Sequence, residues 1–172
     1  MTHVLGDINR ISASDFVAAL GDTFELAPWV AEGAAGRRPF ATVTDLHQAM
    51  MGIVRAAPRE TQLAFLRGHP DLAGKAARAG ALTEDSHREQ TSAGLDSLSE
   101  EEFARFHRLN DAYKAKFGFP FIVCVRRHTR DSILARFERR LAHDAATEFA
   151  AAMQEGFYIT RLRGAAKGTG EG

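Results

Sequence analysis

The sequence predicts an all-α fold, a single-domain compact helical bundle with one short extended buried connector. Three observations carry this expectation. Apolar residues recur at helical spacing over most of the chain, as in Leu46, Ala49, Met50, Ile53 and Val54, the i, i+3, i+4 pattern of a half-buried helix. The periodic stretches open on Ser, Thr or Asp and several close on Gly, residues that satisfy the orphan backbone groups at helix ends. One apolar run has β character, Phe119-Pro120-Phe121-Ile122-Val123-Cys124-Val125. It is too short and too solitary to build a sheet, so it reads as the connector.

Ser12, Ser14 and Asp15 cap a first helix bearing Phe16, Ala19 and Leu20, which Gly21 stops. Phe24 and Leu26 with Pro28-Trp29-Val30 form a compact apolar patch, and residues 36–40 form a loop. Thr44 or Asp45 opens a second helix that runs through Val54. Pro58 suits the first turn of a third, with Leu63 and Leu66, ending at Gly68. Ala76 to Ala81 add a turn. Thr83 caps a helix with Glu84 and Asp85 in its first turn, where acids complement the helix dipole; it ends near Gly94. Ser99 and Glu102 match a capping box ahead of Phe103, Phe106, Leu109, Tyr113 and Phe117, and Gly118 closes that helix. Asp131 caps a helix with Ile133, Leu134, Phe137 and Leu141, and a last helix spans Asp144 to Leu162. Neither a repeat nor an interdomain linker interrupts the pattern. Residues 1–163 therefore read as one domain and residues 164–172, small and glycine-rich, as a flexible tail.

A chain of 172 residues suffices for one substantial core. Lys plus Arg equals Asp plus Glu, 22 each, so no global charge argues for nucleic acid or an anionic membrane as partner. No stretch approaches the roughly 18 apolar residues of a membrane span. Met1 to Leu20 lack a basic region followed by an apolar run, so a secretory leader is not expected and a cytoplasmic location is. The lone Cys124 rules out an internal disulfide and a multi-cysteine metal site. Its apolar neighbours point to an inert buried thiol.

His69 is the most informative residue. A helix stops at Gly68, and Pro70 disfavours the α conformation at His69, so the imidazole is expected on a short, stiff corner. A fixed backbone is what a positioned acid or base needs, and the ordinary imidazole pKa of ~6.5 suits proton transfer near neutrality. About twenty residues on, Ser86, Glu89 and Gln90 stand at i, i+3 and i+4, so one helix face can present a hydroxyl, a carboxylate and an amide. Each feature alone has an ordinary reading: single histidines are mostly packed or capping residues, and polar residues at helical spacing mostly face water. His87-Arg88-Glu89 matches the His-x-Glu of zinc deaminases but lacks their Pro-Cys-x-x-Cys partner, and there is no His-Glu-x-x-His helix, so no metal site is expected. The basic run Arg126 to Arg130 reads as a solvated loop.

In this order and spacing, several segments resemble the 2-oxo-4-hydroxy-4-carboxy-5-ureidoimidazoline (OHCU) decarboxylases of urate breakdown. They are Pro28-Trp29-Val30, Arg38-Pro39-Phe40, Gly68-His69-Pro70-Asp71-Leu72-Ala73, Leu82-Thr83, Ser86-x-x-Glu89-Gln90-x-x-Ala93-Gly94-Leu95, Leu109-Asn110 and Lys116 to Ile122. The resemblance covers roughly residues 8 to 163. It implies an all-helical, cofactor-free homodimer that acts on a small-molecule ureidoimidazoline and yields (S)-allantoin and CO2. It implies that His69 and Glu89 are the catalytic pair and that Pro70, Ser86 and Gln90 contact substrate. It implies further that the main chain of Phe121, Ile122, Val123, Cys124 and Val125 meets the substrate ring, which would leave that segment's backbone groups free for a ligand. An arginine of the last helix also faces substrate in the family. Arg163 aligns with it, with Arg161 the alternative, because Gly156 and Gly164 depart from the family pattern. The competing readings are a non-catalytic helical module that binds a small heterocycle and a decarboxylase of a related heterocycle.

Overall fold

The computed structural model describes residues 4–166, and among them the regular structure is helical with no strand. In chain order the helices are α1 (Leu5–Ile8), α2 (Ala13–Leu20), α3 (Trp29–Ala35), α4 (Val43–Ala56), α5 (Arg59–Arg67), α6 (Lys75–Arg78), α7 (Glu84–Ser92), α8 (Glu100–Phe117), α9 (Arg130–Leu141) and α10 (Ala145–Ala166). A single 3-10 turn, Val125–Arg127, precedes α9. The fold is all-α, as the periodicity predicts. The chain resolves into two compact units, whose described parts are residues 4–68 with 160–166, and residues 69–159.

In the first unit, α3 packs between α2 and α4. Its sequence, Trp-Val-Ala-Glu-Gly-Ala-Ala, buries Val30, Ala31, Ala34 and Ala35. These are small side chains whose burial carries little periodic signal, which is why the sequence reads as a patch and not a helix there. Small residues also let α4 come close: a Cβ at Gly33 would sit 3.0 Å from the Ile53 Cδ1. Phe16, Leu20, Phe24, Leu46, Met50, Val54, Phe65 and Leu66 fill the core. Leu26 does not join it. It is 71% exposed with φ +51°, so the expected patch holds only through Phe24 and Val30. The Arg38-Pro39-Phe40 loop is clamped. Arg38 donates to the carbonyls of Ile8, Ile11 and Ala35, and Asn9 exchanges two hydrogen bonds with the Phe40 backbone.

In the second unit, α8 packs on α9, and Tyr113 gathers Phe117, Phe119, Phe121 and Phe137 around its ring with centroids 4.6–6.0 Å away. The Ser99–Glu102 capping box is present, and Gly118 ends α8 at φ +80°, a left-handed position that favours glycine. Two starts fall earlier than expected. Thr42, not Thr44 or Asp45, caps α4, and Thr129, not Asp131, caps α9. In both, a threonine hydroxyl accepts the N–H of the third helical residue, and the aspartate sits in the first turn. Pro58 lies at the cap position of α5, one residue ahead of the first turn. Residues 164–166 continue α10, so the helix reaches past the point where a tail was expected to begin. The rest of that tail lies outside the described residues.

Candidate active site

His69 lies in the second unit, 7% exposed, just past the Gly68 cap that ends α5. The chain from His69 to Gly74 is neither helix nor strand, and three side chains hold it. The Gln90 amide accepts the Ala73 N–H at 2.9 Å and donates to the Asp71 carbonyl at 3.1 Å. Asn110 donates to the Leu72 carbonyl at 2.9 Å, and the Lys114 ammonium sits 2.7 Å from Asp71 Oδ2. The clamp holds a strained backbone, because Ala73 has φ +50°, a left-handed conformation that costs a non-glycine residue about 1–2 kcal/mol. Gln90, expected as a substrate contact, thus spends both ends of its amide on the histidine corner and keeps one N–H to spare.

Gln90 belongs to α7, whose Thr83 cap accepts the Ser86 N–H. The i, i+3, i+4 expectation translates into burial: Ser86 and Gln90 are buried and Glu89 half-buried, while His87 and Arg88 face outward. The same helix packs against the 3-10 turn that ends the connector. Glu89 also reaches that side electrostatically. Burial first, then the carboxylates of Glu155 and Glu89, push the Cys124 thiol up to about 11. α7 therefore adjoins both the His69 corner, through Gln90, and the 3-10 turn at the end of the connector.

The connector is buried throughout, from Phe119 to Val125. It is extended only as far as Cys124, because Val125 begins the 3-10 turn. Its backbone is not wholly free, contrary to the simplest expectation. The Ile122 carbonyl accepts from Arg140 Nη1 at 2.6 Å, and the Cys124 N–H donates to Glu155 Oε2 at 3.2 Å. The Cys124 and Val125 carbonyls close the 3-10 turn. What remains is a shorter strip. The N–H groups of Ile122, Val123 and Val125 and the Val123 carbonyl make no hydrogen bond among the described residues. Buried backbone groups are rarely left unpaired, and such a strip is suited to a polar ligand.

The thiol beside it is inert. Cys124 is 1% exposed, and only the thiolate is nucleophilic. Native protein at pH 8 is expected to resist iodoacetamide at Cys124, whereas protein unfolded in guanidinium alkylates fully. Rapid labelling of the native chain would contradict the burial.

The two C-terminal arginines differ. In the first unit, Arg163 is 4% exposed and donates to Glu25 Oε2 at 2.6 Å, whereas Arg161 is exposed. Sequence reasoning missed the supports Lys114, Arg140 and Glu155, and took Asn110 only as part of a motif. A signal for Glu155 was present: Glu148, Ala152, Glu155 and Ile159 follow i, i+4, i+7, i+11, and all four are buried. Two acids on the inward stripe of a helix need partners inside the protein. Among the described residues no helix is long and apolar enough to cross a membrane, and no group of three or more His, Cys, Asp or Glu could hold a metal ion.

An all-helical fold that carries a pinned histidine, a carboxylate on the adjoining helix and a strip of unpaired backbone has the groups that an acid–base enzyme uses on a small polar molecule. The chain belongs to the OHCU decarboxylase family, whose pattern matches residues 9–165. It is 44% identical over 159 residues to the 2-oxo-4-hydroxy-4-carboxy-5-ureidoimidazoline decarboxylase of Haloferax volcanii, covering 92% of each chain. It is 36% identical to the decarboxylase of that name from Mus musculus, covering 91% of this chain and 88% of that one. The uric acid degradation bifunctional protein PucL of Bacillus subtilis is 40% identical over 92% of this chain, which spans 31% of that longer protein. The crystal structure of an (S)-allantoin synthase superposes with a TM-score of 0.77 at 28% identity, over 96% of this chain and 54% of that chain.

Proposed function

We propose that this chain decarboxylates OHCU to (S)-allantoin and CO2, without a cofactor, in the breakdown of urate. Family membership supports the reading, and one observation carries it. α7 bears the Glu89 carboxylate and adjoins both the His69 corner, which Gln90 braces, and the connector with its unpaired backbone groups.

Decarboxylation must park an electron pair, and this substrate carries its own sink. The carboxylated carbon adjoins a ring C=N bond. As the bond to the carboxylate breaks and CO2 leaves, the pair moves toward the ring nitrogen, which takes up a proton. The enol left behind gains a proton on the neighbouring carbon, and its hydroxyl loses one to become C=O. Protonation from one face fixes the (S) configuration, and no organic cofactor is needed to hold charge. His69 is assigned the proton delivered to carbon, and Glu89 orients the imidazole or the substrate hydroxyl. Pro70, Ser86, the spare Gln90 N–H and the main chain of Phe121, Ile122, Val123, Cys124 and Val125 hold the ring and ureido group. Arg163 pairs with an oxygen-rich edge. Its burial and its fixed Glu25 partner favour it over the exposed Arg161. Residues 1–163 form the catalytic domain, which works in the cytoplasm as a homodimer.

The test generates OHCU in situ from urate and follows the circular dichroism of allantoin. The expected result is (S)-allantoin, formed faster than by spontaneous decay. Racemic allantoin at the unaided rate would sink the reading.

A further inference from the structure

A second concave site lies in the unit of residues 69–159, apart from the groups assigned above to substrate. It is a cleft of about 340 Å³ formed by the 3-10 turn, α9 and α10. Its walls include Arg127, His128, Arg136, Arg140, Glu155 and Tyr158. Arg140 is 3% exposed. Its Nε donates to Glu148 and its Nη1 to the Ile122 carbonyl, while its Nη2 is buried and has no hydrogen-bond partner. Its guanidinium lies 4.5 Å from the Phe121 ring centroid, so Arg140 backs the cleft with a fixed positive charge. The Arg127 guanidinium sits over the Tyr158 ring, 4.3 Å from its centroid, which holds it at the wall. Arg136 stands 3.7 Å from Glu155 Oε1, a loose pairing, with its side chain 45% exposed.

The charges do not cancel. Glu148 neutralises Arg140 and Glu155 pairs loosely with Arg136, so with His128 neutral the Arg127 charge on the same wall is in surplus. His128 registers this field. Burial first, then Arg136, hold its imidazole below the ordinary range, Arg127 adding to the effect and Glu155 opposing it. We infer that this cleft is a second binding site, for a small oxyanion gripped by Arg127 and Arg136. Two of its wall residues also hold the connector, Arg140 at the Ile122 carbonyl and Glu155 at the Cys124 N–H. An anion that draws Arg136 away from Glu155 acts on that grip. The consequence for turnover rests on the decarboxylase reading; the binding itself does not.

The experiment titrates the full chain with inorganic phosphate in one arm and malonate in the other, at ionic strength held constant with sodium chloride, and reads the thermal unfolding midpoint. A saturable rise in at least one arm, not reproduced by chloride, is expected. Phosphate alone or malonate alone would identify the class of oxyanion. In Arg127→Ala/Arg136→Ala, and separately in Arg136→Ala as a milder variant, the apparent affinity should fall at least tenfold with the helical spectrum unchanged. Saturating (S)-allantoin should leave the rise in place. A rise that chloride reproduces, that the double variant retains, or that allantoin abolishes would overturn the inference. Failure of the decarboxylase reading would remove only the allantoin arm and leave the comparison of variants intact.

Discussion

Replacing His69 by alanine is expected to slow the formation of (S)-allantoin by about 10²–10⁴-fold, the usual weight of general acid–base help, with the helical spectrum retained. The reason is local. The corner is held from its backbone side by Gln90, Asn110 and Lys114, so these braces remain when the imidazole, and with it the assigned proton donor, is removed. Glu89→Gln keeps the size and removes the charge, and should fall in the same range if the carboxylate orients the imidazole or the substrate hydroxyl. Because OHCU also decays unaided, the sharper readout is stereochemical. Allantoin formed with either variant should approach a racemate, measured by circular dichroism against total allantoin. A His69→Ala enzyme that still yields (S)-allantoin at the wild-type rate would remove the histidine from the chemistry.

The parts of the molecule that were legible in the sequence are those written in local chemistry. The capping box at Ser99, the glycine stops at Gly21 and Gly118 and the amphipathic spacing of α4 depend on residues within one or two turns, and each is found as expected. The polar face of α7 was legible too, because a helix fixes which side chains share a side. α3 was hidden by its alanines, whose burial is set by the approach of α2 and α4 and not by hydrophobic contrast. α1, with four residues, is too short to show a period. The partners of the site's supports were illegible for a related reason. Asn110 meets Leu72 across 38 positions, Glu155 meets Cys124 across 31 and Arg163 meets Glu25 across 138. Nothing in the local pattern of α8 or α10 names those partners. Gln90 is the instructive mixture: spacing placed it on the correct face, but only its partners reveal that it braces the histidine corner.

Glu148→Ala should be the most destabilising single change in the unit of residues 69–159, by about 3–5 kcal/mol, because it strands a buried charge. Glu148 is fully buried and accepts from Arg140 Nε at 2.8 Å, from the Tyr113 hydroxyl at 2.6 Å and from His143 Nδ1 at 2.9 Å. Burial first, then the bond to Glu148, hold the Tyr113 phenol protonated well above its ordinary range, so the hydroxyl remains a donor. Without the carboxylate, the Arg140 charge, 3% exposed, loses its counterion and the Tyr113 hydroxyl loses its acceptor. For a chain of this length the unfolding midpoint should drop on the order of 10 °C. Replacing both members of the pair instead, Arg140→Met with Glu148→Leu, removes the stranded charge and should recover much of the loss, since apolar replacement of a buried ion pair is often neutral or better. Stability and turnover then part company. Arg140 also holds the Ile122 carbonyl at 2.6 Å, and methionine cannot, so the connector loses one of its two side-chain anchors. The double variant should melt near the wild type yet bind substrate more weakly, with KM raised several-fold and kcat changed less. Recovery of both together would mean that the connector keeps its course without Arg140, and would confine that residue to a role in folding.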